Sequence, residues 1–166
     1  RGLPYADSTV MEIQARDVLE HLGDEFIFVM NECYRVLRSD GLASFDVPNV
    51  LSKDNPGAAF GDPTHRRFFC RHSFDYFESG QEQHEFNGTA YGILPWEILN
   101  ILEILGDSVL RVIMRPVKGV SAGDSSGSAK VEPEGGGAGP QIPQITDLRQ
   151  VLYRDILDPR PDGEAV

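Results

Sequence analysis

Leu3-Pro4-Tyr5-Ala6-Asp7-Ser8-Thr9 leads into the apolar run Val10-Met11-Glu12-Ile13-Gln14-Ala15, and Arg35-Val36-Leu37 leads through Ser39-Asp40-Gly41 to Leu42–Val47 and Pro48-Asn49. Between the two β-like runs, Phe26, Ile27, Val29, Met30, Cys33, Tyr34, Val36 and Leu37 recur at helical spacing, while Asp24, Glu25 and Asn31 stay polar. This periodicity predicts an amphipathic helix over 24–38. Acidic residues lead it and arginines close it, as the helix dipole favours. Strand, helix and strand then form one unit, and the right-handed crossover makes the two strands parallel neighbours.

Working outward, Pro56-Gly57-Ala58-Ala59-Phe60-Gly61-Asp62-Pro63 reads as a long irregular functional loop. Ser73 is expected to cap a short helix carrying Phe74, Tyr76 and Phe77. From Trp96 onward the pattern fits either a helix between Pro95 and Gly106 or a hairpin turning at Gly106-Asp107, and the hairpin is expected. Residues 121–144 are rich in Gly, Ser and Pro and read as a flexible linker. Beyond it, Ile145, Leu148, Val151, Leu152 and Ile156 follow helical spacing, with Thr146 as cap and Pro159 as stop. That stripe would dock on its own domain or on a protein partner. The division expected is therefore 1–120, a linker over 121–144, and a short helix and tail over 145–166.

Composition narrows the function classes. The 166 residues carry 26 Asp and Glu against 15 Lys and Arg, a net charge of −11. Apart from Arg66, Arg67 and Arg71 the cations are scattered, so no basic stripe offers itself to a phosphate backbone and no nucleic-acid partner is expected. Cys33 and Cys70 lack metal or redox spacing and read as buried thiols of a reducing compartment. No leader pattern and no membrane-length apolar run is evident, which points to a cytoplasmic protein without membrane contact.

The residues Leu3-Pro4-Tyr5, Asp7-Ser8, Glu20-His21, Glu32, Arg35-Val36-Leu37, Gly41 and Val47-Pro48-Asn49 fall in the order and spacing found in class I S-adenosylmethionine-dependent methyltransferases. The chain resembles the carboxyl-terminal half of that domain over about residues 2–118. The resemblance implies an α/β, Rossmann-like fold, partial here, with parallel strands followed by an antiparallel hairpin. The family's glycine-rich turn finds no match, and the chain begins at Arg1, so it reads as a fragment with reduced affinity for the cofactor. Gly2 and Leu3 would then lie near the adenine, and Ala15, Arg16 and Asp17 near the methionine part of S-adenosyl-L-methionine.

The densest chemistry lies in Asp17-Val18-Leu19-Glu20-His21. Carboxylates and an imidazole on one tight turn suit a divalent cation such as Mg²⁺ or Mn²⁺, with His65 of Gly61-Asp62-Pro63-Thr64-His65 as a fourth ligand. A similar pattern occurs in small-RNA 2′-O-methyltransferases and some quinone-pathway O-methyltransferases, where the metal grips the acceptor hydroxyls. Equally open is a structural reading, in which Asp17 caps the next turn, Glu20 bonds backbone amides and His21 is a satisfied histidine. Without metal, His21 or His65 would be the general base. Arg66 and Arg67 would bind a carboxylate or phosphate of the acceptor, or form a solvated pair. The segment Asp62–Phe69 resembles wording common in methyltransferases near surface-sugar genes, which implies a small-molecule or glycan acceptor. The competing classes are a non-catalytic methyltransferase-like interaction module and a non-haem iron enzyme built on His21, His65 and Asp17 or Glu20.

Overall fold

The computed structural model describes residues 2–119 and 143–152. Five strands form one mixed sheet: β1 (Val10–Arg16), β2 (Leu37–Pro48), β3 (Trp96–Ile104), β4 (Val109–Pro116) and β5 (Gln144–Ile145), in the spatial order β3-β4-β2-β1-β5. β1 is parallel to both β2 and β5, whereas β4 runs antiparallel to β2 and β3. The protein is thus an α/β domain with a parallel core and an antiparallel hairpin at one edge.

Helix α1 (Phe26–Val36) connects β1 to β2 and buries Val29, Met30, Cys33 and Val36 completely, as the helical spacing requires. The sheet meets this layer with Val10, Ile13 and Ala15 of β1, Ala43, Phe45 and Val47 of β2, and Leu110, Val112 and Met114 of β4. Burial pushes the Cys33 thiol up to about 12, so it behaves as an apolar side chain. Cys70 is only half-buried. The opposite face of the sheet mixes Glu12, Gln14, Arg16, Ser44 and Arg111 with Leu42 and Ile113 around a shallow depression. There Arg111 grips Asp46 with two bonds of 2.7 and 2.6 Å.

Four local expectations are corrected. The Ser39-Asp40-Gly41 turn is not a break before the second strand. β2 already begins at Leu37, and the register jumps from Val10↔Leu37 to Glu12↔Leu42, so these residues form an excursion within the strand. Gly41 is required there because a Cβ would sit 2.9 Å from the Met11 carbonyl oxygen. The Pro56–Pro63 loop contains a helical turn, α2 (Gly57–Phe60), with Pro56 already at helical φ and ψ before it. Ser73 caps from inside its 3₁₀ turn, accepting the Cys70 N–H at 3.1 Å, while Cys70 is the capping position. Helix α3 (Leu148–Leu152) is led by Asp147, whose carboxylate accepts the Gln150 N–H, rather than capped by Thr146.

The hairpin forms as expected, with Gly106 at φ 72° in the turn. Asp107 ties that turn to the segment after β2, accepting from Lys53 N (2.7 Å), Ser52 Oγ (2.5 Å) and Asp54 N (3.1 Å). Those donors hold its carboxyl down at about 2, below the ordinary 3.8. A depressed carboxyl stabilises the fold above the ordinary pKa and loses that contribution as pH falls through the folded value. Asp107→Asn should therefore flatten the fall in urea midpoint between pH 3.8 and about 2. An unchanged acid profile would show that the clamp contributes nothing.

Past the hairpin, Ile145, Leu148 and Leu152 are buried against β1, so this stripe docks on its own domain. The linker expected over 121–144, but for its last two residues, lies outside the described residues, as do Ile156 and Pro159. No helix among the described residues is long and apolar enough to cross a membrane.

Candidate metal and acceptor site

β1 ends at Arg16, and the chain turns at once: Asp17 takes a left-handed backbone, φ 51°, with its N–H bonded to the Asp46 carbonyl at 3.1 Å. Asp tolerates this region better than most residues. A single 3₁₀ turn, Leu19–His21, follows, in which Leu19 is buried completely and Glu20 is 1% exposed. Burying the Leu19 side chain anchors the turn and fixes where the next two residues point.

His65 reaches this turn from the other side. Val50 N bonds the Phe69 carbonyl, and both Arg66 N and Arg67 N donate to the Glu20 carbonyl, at 2.7 and 3.0 Å. These three bonds lay the 65–69 segment along the carboxyl ends of β1 and β2. As a result Glu20, His21 and His65 bring one ligand atom each within 4.8 Å of one another. The two imidazole centroids are 4.9 Å apart, edge to face. His21 Nε2 lies 4.0 Å from Glu20 Oε1.

Both ring tautomers follow from the partners. His65 Nδ1 is 2.7 Å from the Ala59 carbonyl oxygen, which can only accept, so Nδ1 carries a proton and, in the neutral ring, Nε2 the lone pair. Thr64 Oγ1 donates to Asp62 Oδ1 at 2.6 Å, so it accepts at 3.0 Å from His21 Nδ1, again leaving the lone pair on Nε2. Asp62 suits this task, since the Thr64 hydroxyl and N–H hold its carboxyl below the usual range. Imidazoles oriented by a carbonyl or carboxylate behind Nδ1 are the usual arrangement of metal-binding histidines. Thr64 and Asp62 were not singled out in the sequence, although Asp-Pro-Thr is the signature of the Asx turn they form, with Thr64 N on Asp62 Oδ1 at 2.8 Å.

Asp17 does not belong to the group of three; it precedes Val18, the residue that opens the 3₁₀ turn. Of the residues assigned to the cofactor, Ala15 is 1% exposed at the strand end, and the Arg16 side chain is exposed, 3.8 Å from Asp46 Oδ2. Gly2 and Leu3 are not brought to them. Leu3 N donates to Glu32 Oε2 at 2.7 Å and its carbonyl accepts from Arg35 Nη2 at 3.0 Å. Glu32 and Arg35 stand in the later turns of α1, which run back toward the start of β1, where Thr9 N meets the Val36 carbonyl.

Arg66 and Arg67 are divided by their surroundings. Arg67 donates to the Leu22 and Gly23 carbonyls and stacks 4.5 Å from the Phe26 ring centroid, so its guanidinium is occupied in holding the turn. Arg66 is exposed, and both arginines line a cavity of about 460 Å³ beside the cluster. Asn49 is structural: its amide joins the Asp107 carbonyl and the Leu51 N–H. His84 is too, buried with Nδ1 at 2.9 Å from the Tyr76 carbonyl. No protein-family model matches the chain, and no curated protein matches it.

Proposed function

We propose that the chain carries the metal- and acceptor-binding half of a class I S-adenosylmethionine-dependent O-methyltransferase. The observation that carries the reading is the convergence of Glu20, His21 and His65, tautomers fixed, at the carboxyl end of β1. In open α/β sheets that end is where ligands bind. The strand order, with one antiparallel strand between two of the opposite direction beside a parallel core, is compatible with the fold that the sequence resemblance implies.

One carboxylate and two imidazoles as ligands suit Mn²⁺, Fe²⁺ or Zn²⁺ better than Mg²⁺, which favours an all-oxygen shell. A cation held there would supply Lewis-acid activation of an acceptor hydroxyl, and the sulfonium cofactor would supply an electrophilic methyl group. The chain's own contribution is positional. Thr64 and the Ala59 carbonyl aim both Nε2 atoms, and the buried Glu20 carboxyl group lies beside them. Ala15 is buried beneath the strand end, the exposed Arg16 side chain stands at that end, and the Asp17 N–H is already spent on Asp46.

These residues form one wall for the cofactor, without Gly2 and Leu3. The chain should accordingly bind S-adenosylmethionine weakly, and calorimetry giving a low-micromolar dissociation constant would contradict the partial cradle. The function is tested by incubating the chain with labelled S-adenosylmethionine, Mn²⁺ and a panel of small hydroxyl compounds, glycans and duplex DNA. Because the cradle is partial, Mn²⁺ binding by the chain is expected together with at most slow, Mn²⁺-dependent labelling of hydroxyl compounds or glycans at saturating cofactor. Labelling of DNA alone, or no labelling together with no Mn²⁺ binding, would overturn it.

A further inference from the structure

We propose that the cavity beside the metal cluster takes an aromatic anion, a planar ring system bearing a carboxylate or similar acid, and that Arg66 reads its charge. The proposal names the acceptor class of the activity above and rests on that reading for its purpose, though not for the binding itself.

The cavity, about 460 Å³, has room for a one- or two-ring body. Its floor is aromatic: Phe26 lies 5.7 Å from Phe69 and 5.8 Å from Phe77, the latter pair edge to face. One side is the stacked pair Tyr76 and Tyr91, centroids 6.4 Å apart at 16°. Phe68 of the lining stacks on Phe60 outside it at 4.9 Å, and the two rings are 49% and 63% exposed. A parallel pair of exposed rings next to an aromatic floor is apolar surface that a flat ligand would cover.

Charge supplies the second half of the argument. The chain has a net charge of −11, yet the residues lining this cavity include two arginines and no Asp or Glu. Arg67 is held by the Leu22 and Gly23 carbonyls. Arg66 makes no such hydrogen bond to a described residue; its guanidinium lies over Gly23, where a Cβ would come within 2.6 Å of Nη1. The nearby acid, Glu25, lies outside the lining; its Oε1 accepts the Gly23 N–H at 3.0 Å, and its charge attracts Arg66 and Arg67 without a hydrogen bond to either. Arg66 is thus the cation with donors to offer, and a planar carboxylate is what a guanidinium binds in two-point fashion. The Arg66 guanidinium lies over Gly23, two residues past His21, so a ligand seated on it is set near the turn that carries the cluster.

The test uses 2-naphthoate and its neutral counterpart 2-naphthol, titrated into the chain by calorimetry in the presence of a chelator, so that no cation contributes. Naphthoate should bind more tightly than naphthol, Arg66→Ala should weaken naphthoate by about tenfold, and naphthol should be nearly unchanged. Tyr91→Ala should weaken both. Equal binding of the two probes, or naphthoate binding indifferent to Arg66→Ala, would overturn the proposal. Arg66 is exposed, so its loss should leave the fold intact, which the amide spectrum verifies. A separate Mn²⁺ titration reads the cluster: its failure with naphthoate binding preserved refutes the metal reading alone, and the converse refutes the aromatic-anion site alone.

Discussion

Replacing Trp96 by alanine should destabilise the protein by about 3–5 kcal/mol, the range for removing a large buried aromatic side chain. Trp96 is fully buried and packs edge to face on Tyr34 of α1, ring centroids 5.5 Å apart. It also opens β3 opposite Pro116, and its backbone exchanges bonds with Phe77 and Ser79, so the cavity would lie where helix, hairpin and the 70–79 segment meet. Its indole Nε1–H has no hydrogen-bond partner among the described residues. Trp96→Phe removes that desolvated donor along with part of the volume, so it should cost about 1–2 kcal/mol, well below the alanine variant. Urea unfolding followed by circular dichroism measures both, since the sequence has a single tryptophan and fluorescence disappears with it. Equal losses for Phe and Ala would mean that the indole's value lies in a polar contact, and a loss under about 1 kcal/mol for Ala would mean the site collapses freely.

How far the sequence reveals this fold depends on length and pattern. Helix α1 announces itself because five of its apolar residues fall on one buried face, and the hairpin because Gly106 can take a left-handed turn between two β-branched runs. β5 has no such signal: two residues, Gln144 and Ile145, become a strand only because the β1 edge offers Glu12 and Ile13 to pair with. The short α2 turn is hidden for a similar reason, since Pro56 and Gly57 read as breakers yet Pro suits a helix start.

The candidate site divides along the same line. Glu20 and His21 are adjacent in sequence, and residue types alone bring them to notice. That His65 joins them depends on backbone bonds from residues 66 and 67 to the Glu20 carbonyl, which no side-chain pattern encodes. Asp17 invites grouping with them by residue type on one tight turn, yet this left-handed residue precedes Val18 and the Leu19–His21 turn, outside the three that converge. Likewise Gly2 and Leu3 follow Glu32 and Arg35, through contacts about 30 positions away in sequence, to the other end of the helix.

His65→Ala should lower affinity for Mn²⁺ by at least about 100-fold, because loss of a supporting partner behind a ligand already costs about 10–100-fold and loss of the ligand itself removes more. The imidazole is only 7% exposed and fixed by the Ala59 carbonyl, so water entering the alanine variant could replace the donor nitrogen but not its orientation. Thr64→Val provides the graded companion. It keeps every ligand and the side-chain volume but deletes the hydroxyl that accepts from His21 Nδ1, and should cost about 10-fold. The order matters more than either value: a metal site predicts wild type, then Thr64→Val, then His65→Ala. Loss of the six-line spectrum of free Mn²⁺ on titration measures all three proteins directly, with unfolding midpoints recorded alongside. If His65→Ala binds Mn²⁺ as the parent does, the cluster is a structural contact between the first strand's end and the 62–69 segment. In that case His65→Ala should still lower the unfolding midpoint, since the bond to Ala59 and the packing on His21 would be lost while metal binding stayed the same.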